Sequence, residues 1–234
     1  MMRSGIVSLA IFFACSPAWA INIVLDYTYD TSNFFGAGNP GGAAEGARAR
    51  SALEQAASYF TEILDDTFST IETPAPFSSQ VFNGVATWQW TATFNNPGTG
   101  SSMTLMDPTI AADEYRIYAG ARSIGGNTLG IGGPGGFGVQ SGGNGGGFTQ
   151  DEINQINAIT DSFFTAVETR GEPAGEFARW GGAITFDSDT DANWHFDHMS
   201  APGFNENDFF STAIHELGHA VGFGTSSEWS SLVS

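Results

Sequence analysis

The stretch His215-Glu216-Leu217-Gly218-His219 decides how this chain folds and what it can bind. The apolar residues around it recur with helical spacing, and residues four apart on a helix project from the same face. Two imidazoles placed in this way can bind one metal ion from consecutive turns. Glu216, one step round the helix from His215, can reach a water molecule on that metal and take its proton. The sequence therefore predicts a helix that carries a metal site.

The flanking residues are typical of the two ends of a helix. Residues 205–208 supply capping and acidic side chains where the first N–H groups of a helix lack partners, and Gly222 can end the helix in a left-handed turn. All four histidines fall between His195 and His219. The alternative is a buried helix whose histidines only satisfy hydrogen bonds. His195 and His198 are either surface residues or ligands of a second metal ion.

Residues 1–20 have the parts of a secretory signal peptide. Arg3 gives a positive start, residues 6–14 form an apolar run too short to span a bilayer, and Ala18-Trp19-Ala20 is an A-x-A cleavage site. Cleavage removes Cys15, the only cysteine, so the mature chain can form no internal disulfide. No later segment is apolar for long enough to span a bilayer. We therefore expect a secreted protein without membrane insertion.

Acidic residues dominate the charge of the chain. Asp and Glu together number 25 against 7 Lys and Arg, which gives a formal net charge of −18. This charge disfavours nucleic acid and anionic membrane surfaces as partners, because binding phosphates requires positive charge. Such acidity suits solubility and cation binding. Residues 21–234 are enough for one domain with a core, and the composition does not indicate an oligomeric state.

Hydrophobic periodicity over residues 21–234 predicts an α+β domain. Long helices are predicted over residues 43–68 and from 150 to about 170, the second opened by a capping box of Thr149 and Glu152. We expect a twisted mixed sheet packed with two long helices, with the His215-to-His219 motif on the second major helix or on a third. The predicted strands are residues 21–29, 86–94, 114–119 and 181–186.

Residues 120–147 are extremely rich in glycine and include GIGGPGGFG and GGNGGG. They contain neither a G-x-x-x-x-G-K phosphate-binding loop nor a repeated GGxGxD calcium motif. We predict a long flexible surface loop over residues 120–147. The alternative is a mobile flap beside a cleft.

Acidic residues at alternate positions follow the predicted strand 181–186. Asp187, Asp189 and Asp191 resemble part of a calcium loop, because hard carboxylate oxygens suit Ca²⁺. The sequence Asp-Ser-Asp-Thr-Asp is also ordinary turn chemistry. Both interpretations stay open at this point.

Residues 181–228 resemble the metzincin zinc metalloproteases. The sequence from His215 to Gly222 reads H-E-x-x-H-x-x-G, the opening of their extended signature. Residues 181–189, followed by Trp194-His195-Phe196-Asp197, resemble the segment that precedes the metal helix in matrixins.

This resemblance implies Zn²⁺ on His215 and His219, with Glu216 as general base and a sheet above a cleft. It implies a secreted zinc-dependent metalloendopeptidase that acts on a protein or peptide substrate.

Two positions depart from the compact metzincin pattern. Position 225 is threonine where a third ligand, His or Asp, is expected, and threonine is a poor zinc ligand. The last methionine is Met199, before the helix, whereas metzincins place a methionine turn beneath the metal. Glu228 is another candidate ligand.

Residues 222–225 followed by Trp229 resemble the leishmanolysin-like branch, whose third histidine and methionine turn lie far downstream. We therefore expect residues 21–234 to be the N-terminal part of a catalytic domain in a truncated chain. The competing hypothesis is an exported, non-catalytic metal-binding or surface-interaction protein with an incomplete zinc site. Hydrolysis of a non-protein amide is a third.

Overall fold

The protein folds as an α+β domain, as the periodicity predicts. The computed structural model describes residues 21–144 and 146–233. The predicted signal peptide therefore lies outside the described residues. The helices are α1 (Ala43–Ile63), α2 (Gln150–Thr169), α3 (Phe209–Ala220) and α4 (Ser227–Leu232). The strands are β1 (Asn22–Asp26), β2 (Phe77–Ser78), β3 (Val85–Asn95), β4 (Ser102–Met106), β5 (Glu114–Arg122), β6 (Gly130–Pro134), β7 (Gly136–Asn144), β8 (Gly181–Asp187), β9 (Trp194–His195) and β10 (Asn207–Asp208).

A mixed sheet with the strand order β1-β5-β8-β6 forms the centre of the domain. Strands β1, β5 and β8 are parallel, and β6 runs antiparallel to β8 at one edge. Successive side chains of β5 point to opposite faces, so that Ile117 joins the core beneath α1 and α3 while Tyr118 joins a second core. The predicted mixed sheet is confirmed.

Helices α1 and α3 cover one face of this sheet. Leu53 of α1, Ala213 and Leu217 of α3, and Ile184 of β8 are completely buried in one apolar cluster. Burying a leucine side chain stabilises the folded state by roughly 1.5–3 kcal/mol. The apolar side of α3 is therefore fixed against the sheet and α1.

The other face of the sheet is covered by α2 and a second sheet, in which β3 pairs with β2, β4 and β7. The capping box predicted at the start of α2 is present between Thr149 and Glu152. At its other end the completely buried Arg170 donates hydrogen bonds to three backbone carbonyl groups. Those carbonyls belong to Ser69, Ala111 and Glu114. This end of α2 is thus tied to the segment that follows α1 and to the start of β5.

The prediction of a flexible loop over residues 120–147 is wrong for most of that segment. It contains the end of β5 and the whole of β6 and β7, and β7 pairs with β3 over nine residues. Several of its glycines allow close approach: a Cβ on Gly132 would lie 2.1 Å from the carbonyl oxygen of Glu216, and one on Gly135 would lie 2.1 Å from the ring of Trp180. At these positions the glycine marks a place where the backbone touches another element.

Helix α1 ends at Ile63, five residues before the predicted end at Phe68. Leu64 is already extended, and the backbone N–H of Phe68 donates to the carboxylate of Asp113 at 2.8 Å instead of continuing the helix. Among the described residues, no helix is both long enough and apolar enough to cross a membrane.

Candidate metal centre

Both ends of α3 are fixed by short-range hydrogen bonds. The carboxylate of Asp208 accepts a hydrogen bond from the backbone N–H of Phe210 at 3.2 Å, which caps the first turn. Gly222 adopts a φ of 99°, and the N–H of Phe223 then donates to the carbonyl of Gly218 at 2.9 Å. The chain therefore turns back along the helix immediately after the motif.

The side chains of His215 and His219 meet on the outer side of α3. Their Nε2 atoms lie 3.1 Å apart, and their ring planes are inclined by 82°. Two nitrogens on one tetrahedral Zn²⁺, each at about 2.0–2.1 Å, are separated by roughly 3.3 Å, so the pair fits this metal. The Nδ1–H of His219 donates to the carbonyl of Phe223 at 2.8 Å. This bond orients the ring and leaves its Nε2 available as a ligand.

Among the described residues, the candidates for a third ligand or a methionine turn form no side-chain hydrogen bond with either imidazole ring. The hydroxyl of Thr225 donates to the backbone carbonyl of His219 at 2.7 Å, so it closes the end of the helix. The carboxylate of Glu228 faces Arg179 at 3.6 Å, and the side chain of Met199 is 83% exposed on a loop. Within residues 21–144 and 146–233, no third His, Cys, Asp or Glu completes a group of three with the two histidines.

Glu216 is buried beside the histidine pair, against the edge strand β6. Burial raises the pKa of Glu216 above its usual range, whereas the two histidines and a hydrogen bond from the backbone N–H of Gly132 act to lower it. The residue as a whole is only 6% exposed. A buried carboxyl group whose pKa is raised holds a proton more readily than an exposed one, which suits a group that takes up a proton and releases it again.

The three aspartates predicted to bind calcium come together after β8. One carboxylate oxygen each from Asp187, Asp189 and Asp191 lies within 4.8 Å of the others. Two backbone N–H groups, those of Ile124 and Asp189, already donate to the Oδ1 atom of Asp187, each at 3.2 Å. The turn therefore brings three carboxylates together, and backbone N–H groups of the protein already donate hydrogen bonds to one of them.

His195 and His198 do not join the pair on α3. The Nδ1 atom of His195 lies 3.2 Å from a carboxylate oxygen of Glu206, and its Nε2 atom lies 3.1 Å from the carbonyl oxygen of Ser200. The ring of His198 packs beside that of Phe210. His195 ends β9 and His198 lies in the loop between β9 and β10, and both are only partly exposed.

Two features of the structure have no local signal in the sequence. Asp66, Glu172 and Glu176 bring carboxylate oxygens within 4.8 Å of one another although they are far apart in the chain. A cavity of about 400 Å³ also opens beyond the end of α3, with walls that include Tyr115 and Trp229. Neither histidine of the pair lines this cavity, so it is separate from the candidate metal centre.

Comparison with known proteins connects this region to one family. Residues 164–234 match the family model described as Matrixin, and the matched range contains β8, the aspartate turn and α3. The match covers under a third of the chain and supports a metzincin-type family of metallopeptidases, which depend on zinc. No curated protein matches the chain, and neither does any solved structure.

Proposed function

We propose that this chain is a secreted, zinc-dependent metalloendopeptidase in which Glu216 activates the attacking water. One observation carries the proposal: the Nε2 atoms of His215 and His219 lie 3.1 Å apart beside a buried glutamate, within the segment that matches matrixins. Two imidazoles and one shielded carboxyl group are the residue types that zinc-assisted hydrolysis requires.

Each residue has a separate part in the proposed reaction. Zinc, when bound, polarises the scissile carbonyl group and lowers the pKa of water. His215 and His219 would hold the metal through Nε2, and the carbonyl of Phe223 would keep the ring of His219 in position. Glu216 would accept the proton of the attacking water on its carboxylate and pass it to the leaving amine. Its raised pKa supports this role, because burial favours the protonated form of the carboxyl group.

The proposal extends to export and to domain organisation. Residues 1–20 would direct secretion and be removed at Ala20, and residues 21–234 would form the N-terminal part of the catalytic domain. Two histidines alone give zinc only half of its four ligands. We therefore propose a third protein ligand from outside the described residues, as in the leishmanolysin-like branch.

One observation favours a second candidate function. Among the described residues only two ligands come together, which fits an exported metal-binding or surface-interaction protein that performs no chemistry. The two candidates differ in what they predict for Glu216. A peptidase needs its carboxyl group, whereas a metal-binding protein does not.

A comparison of the wild type with Glu216→Gln tests the proposal. Zinc-loaded wild type is expected to cleave casein or a peptide library, and a chelator should abolish cleavage. The variant should retain its zinc, because glutamine preserves the side-chain volume, while losing about 10²–10⁴-fold in kcat. Full activity in Glu216→Gln would refute the assigned role. Zinc-loaded wild type that cleaves no peptide would favour the binding protein, or hydrolysis of a non-protein amide if such a substrate is turned over.

Calcium forms the last part of the proposal. Asp187, Asp189 and Asp191 would contribute oxygen ligands to one Ca²⁺ ion, supported by the close approach of their carboxylates. In a chain without disulfides after signal cleavage, a bound ion would add rigidity to the turn between β8 and β9.

A further inference from the structure

Two glycines of the edge strand β6 lie against Glu216. A Cβ atom on Gly130 would lie 2.6 Å from Cγ of Glu216 and 3.0 Å from its Oε1. A Cβ atom on Gly132 would lie 2.1 Å from the backbone carbonyl oxygen of Glu216. Real Cβ atoms do not approach other atoms this closely, so the backbone of α3 depends on the missing side chain at Gly132, and the Glu216 side chain depends on the one missing at Gly130.

The neighbouring glycine of the same strand has no such contact. A Cβ atom on Gly133 would have no atom within 4 Å beyond its chain neighbours. All three glycines belong to β6 and pair with β8, where Gly130 lies opposite Phe186 and Gly132 lies opposite Ile184. The close approach to Glu216 is therefore specific to two positions and is not a general property of the strand.

We propose that Gly130 and Gly132 are positioning residues that hold the carboxyl group of Glu216 in place beside the histidine pair. The proposal rests on the function proposed above, because it concerns the residue assigned as general base. Gly130 leaves the space that the Glu216 side chain fills, and Gly132 lets the backbone of α3 approach β6. The backbone N–H of Gly132 also donates to the Glu216 carboxylate.

The two positions act on different parts of Glu216. At Gly130 the nearest atoms belong to the Glu216 side chain, which can rotate away when a methyl group is added. At Gly132 the nearest atoms belong to the Glu216 backbone, so the helix itself would have to move. Alanine at position 130 should therefore displace the carboxyl group with little change to the fold. Alanine at position 132 should disturb the packing of α3 as well.

Alanine at each of the three glycines separates positioning from packing. Gly130→Ala, Gly132→Ala and the matched control Gly133→Ala are made in the wild type and in Glu216→Ala, which removes Cγ and the carboxyl group. Zinc content and the Tm of the zinc-loaded full chain are measured for all variants. The kcat and KM for a peptide substrate are measured for the variants that retain Glu216.

Gly130→Ala should lower kcat on the order of 10²-fold with KM and zinc content unchanged, because a shift of about 1 Å in a reacting group has this effect. Its Tm should fall by about 2–4 °C in the wild type. The Tm should not fall in the Glu216→Ala background, where the clashing atoms are gone. Gly132→Ala should lower Tm in both backgrounds, and Gly133→Ala should lower Tm in neither.

Two outcomes would overturn the inference. One is a kcat for Gly130→Ala equal to that of Gly133→Ala, and the other is an equal loss of Tm for Gly130→Ala in both backgrounds. If the wild type cleaves no peptide, the proposed function fails. The Tm measurements alone then decide whether Gly130 positions the Glu216 side chain: the loss of Tm caused by Gly130→Ala must disappear in the Glu216→Ala background.

Discussion

The histidine pair on α3 and the aspartate turn after β8 both bring possible metal ligands together, but the hydrogen bonds around their ligand atoms differ. In the turn, backbone N–H groups of Ile124 and Asp189 donate to the Asp187 carboxylate, and the hydroxyl of Ser123 donates to Asp189 at 2.6 Å. On α3 the two Nε2 atoms face each other, and the carbonyl of Phe223 accepts only the outer N–H of His219.

This difference shows that closeness of ligand atoms does not define a metal site by itself. Carboxylates that already accept hydrogen bonds from the protein have part of their charge compensated, so they have less to gain from a cation. The two Nε2 atoms face each other and the carbonyl of Phe223 orients the ring of His219, an arrangement that suits a shared metal ion. We therefore expect zinc to bind at α3 more tightly than calcium binds at the turn.

Removal of either histidine should have the largest effect. His215→Ala and His219→Ala should each lower the zinc affinity, because each removes a direct ligand. The loss should exceed the 10–100-fold that follows removal of a residue that only hydrogen-bonds to a ligand. The control Asp189→Asn changes the turn and should bind zinc like the wild type. Equilibrium dialysis followed by metal analysis measures the difference. Zinc content equal to that of the wild type in both histidine variants would remove the contrast between the two regions.

Thr225→Val tests whether the metal site extends beyond the histidine pair. The variant loses the hydrogen bond from the threonine hydroxyl to the carbonyl of His219, so the free energy of unfolding should fall by about 1 kcal/mol. Its zinc affinity should change by less than tenfold, because this hydroxyl caps the helix. Thr225→Ser retains a hydroxyl and should restore most of the stability. Loss of zinc from Thr225→Val but not from Thr225→Ser would instead make the hydroxyl a ligand.

Features that depend on neighbouring residues in the sequence could be predicted. The spacing of His215 and His219 placed them on one face of a helix, and the capping box of Thr149 and Glu152 located the start of α2. The α+β class followed from segments in which apolar residues recur with helical spacing and other segments in which they recur with strand spacing. In each case the relevant contacts lie within one or two helical turns, or within one strand.

Features that depend on contacts between distant segments could not be predicted. Residues 136–144 pair with β3 along their whole length, although Phe137 and Val139 are the only apolar side chains that alternate within the segment. The contacts of Gly130 and Gly132 with Glu216 likewise join an edge strand to a helix much later in the chain. A glycine-rich segment therefore gives the same sequence signal whether it is mobile or closely packed.

The raised pKa of Glu216 predicts that this side chain makes the stability of the protein depend on pH. Because the pKa is higher in the folded state, this carboxyl group favours folding below its unfolded-state pKa, and that contribution is lost as pH rises through the folded value. Metal-free Glu216→Gln should therefore have a Tm higher than the wild type at pH 7, on the order of 2 °C, and no advantage at pH 3.5. Asp189→Asn serves as the control. An equal gain at both pH values would show that the effect is unrelated to ionisation.

Calcium should produce the smallest effect, because hydrogen bonds from the protein already stabilise the carboxylates of Asp187 and Asp189. Calcium sites in extracellular proteins commonly have dissociation constants of about 10⁻⁴–10⁻³ M. When the calcium concentration equals the dissociation constant, binding stabilises the folded state by about 0.4 kcal/mol. We expect millimolar Ca²⁺ to raise the Tm of the wild type by about 1 °C and that of Asp189→Asn by less. Millimolar Mg²⁺, which requires a smaller octahedral site, controls for charge screening. Stabilisation by Ca²⁺ as large as that by zinc would mean that the turn is a built metal site, and the contrast with α3 would then lie only in ligand type.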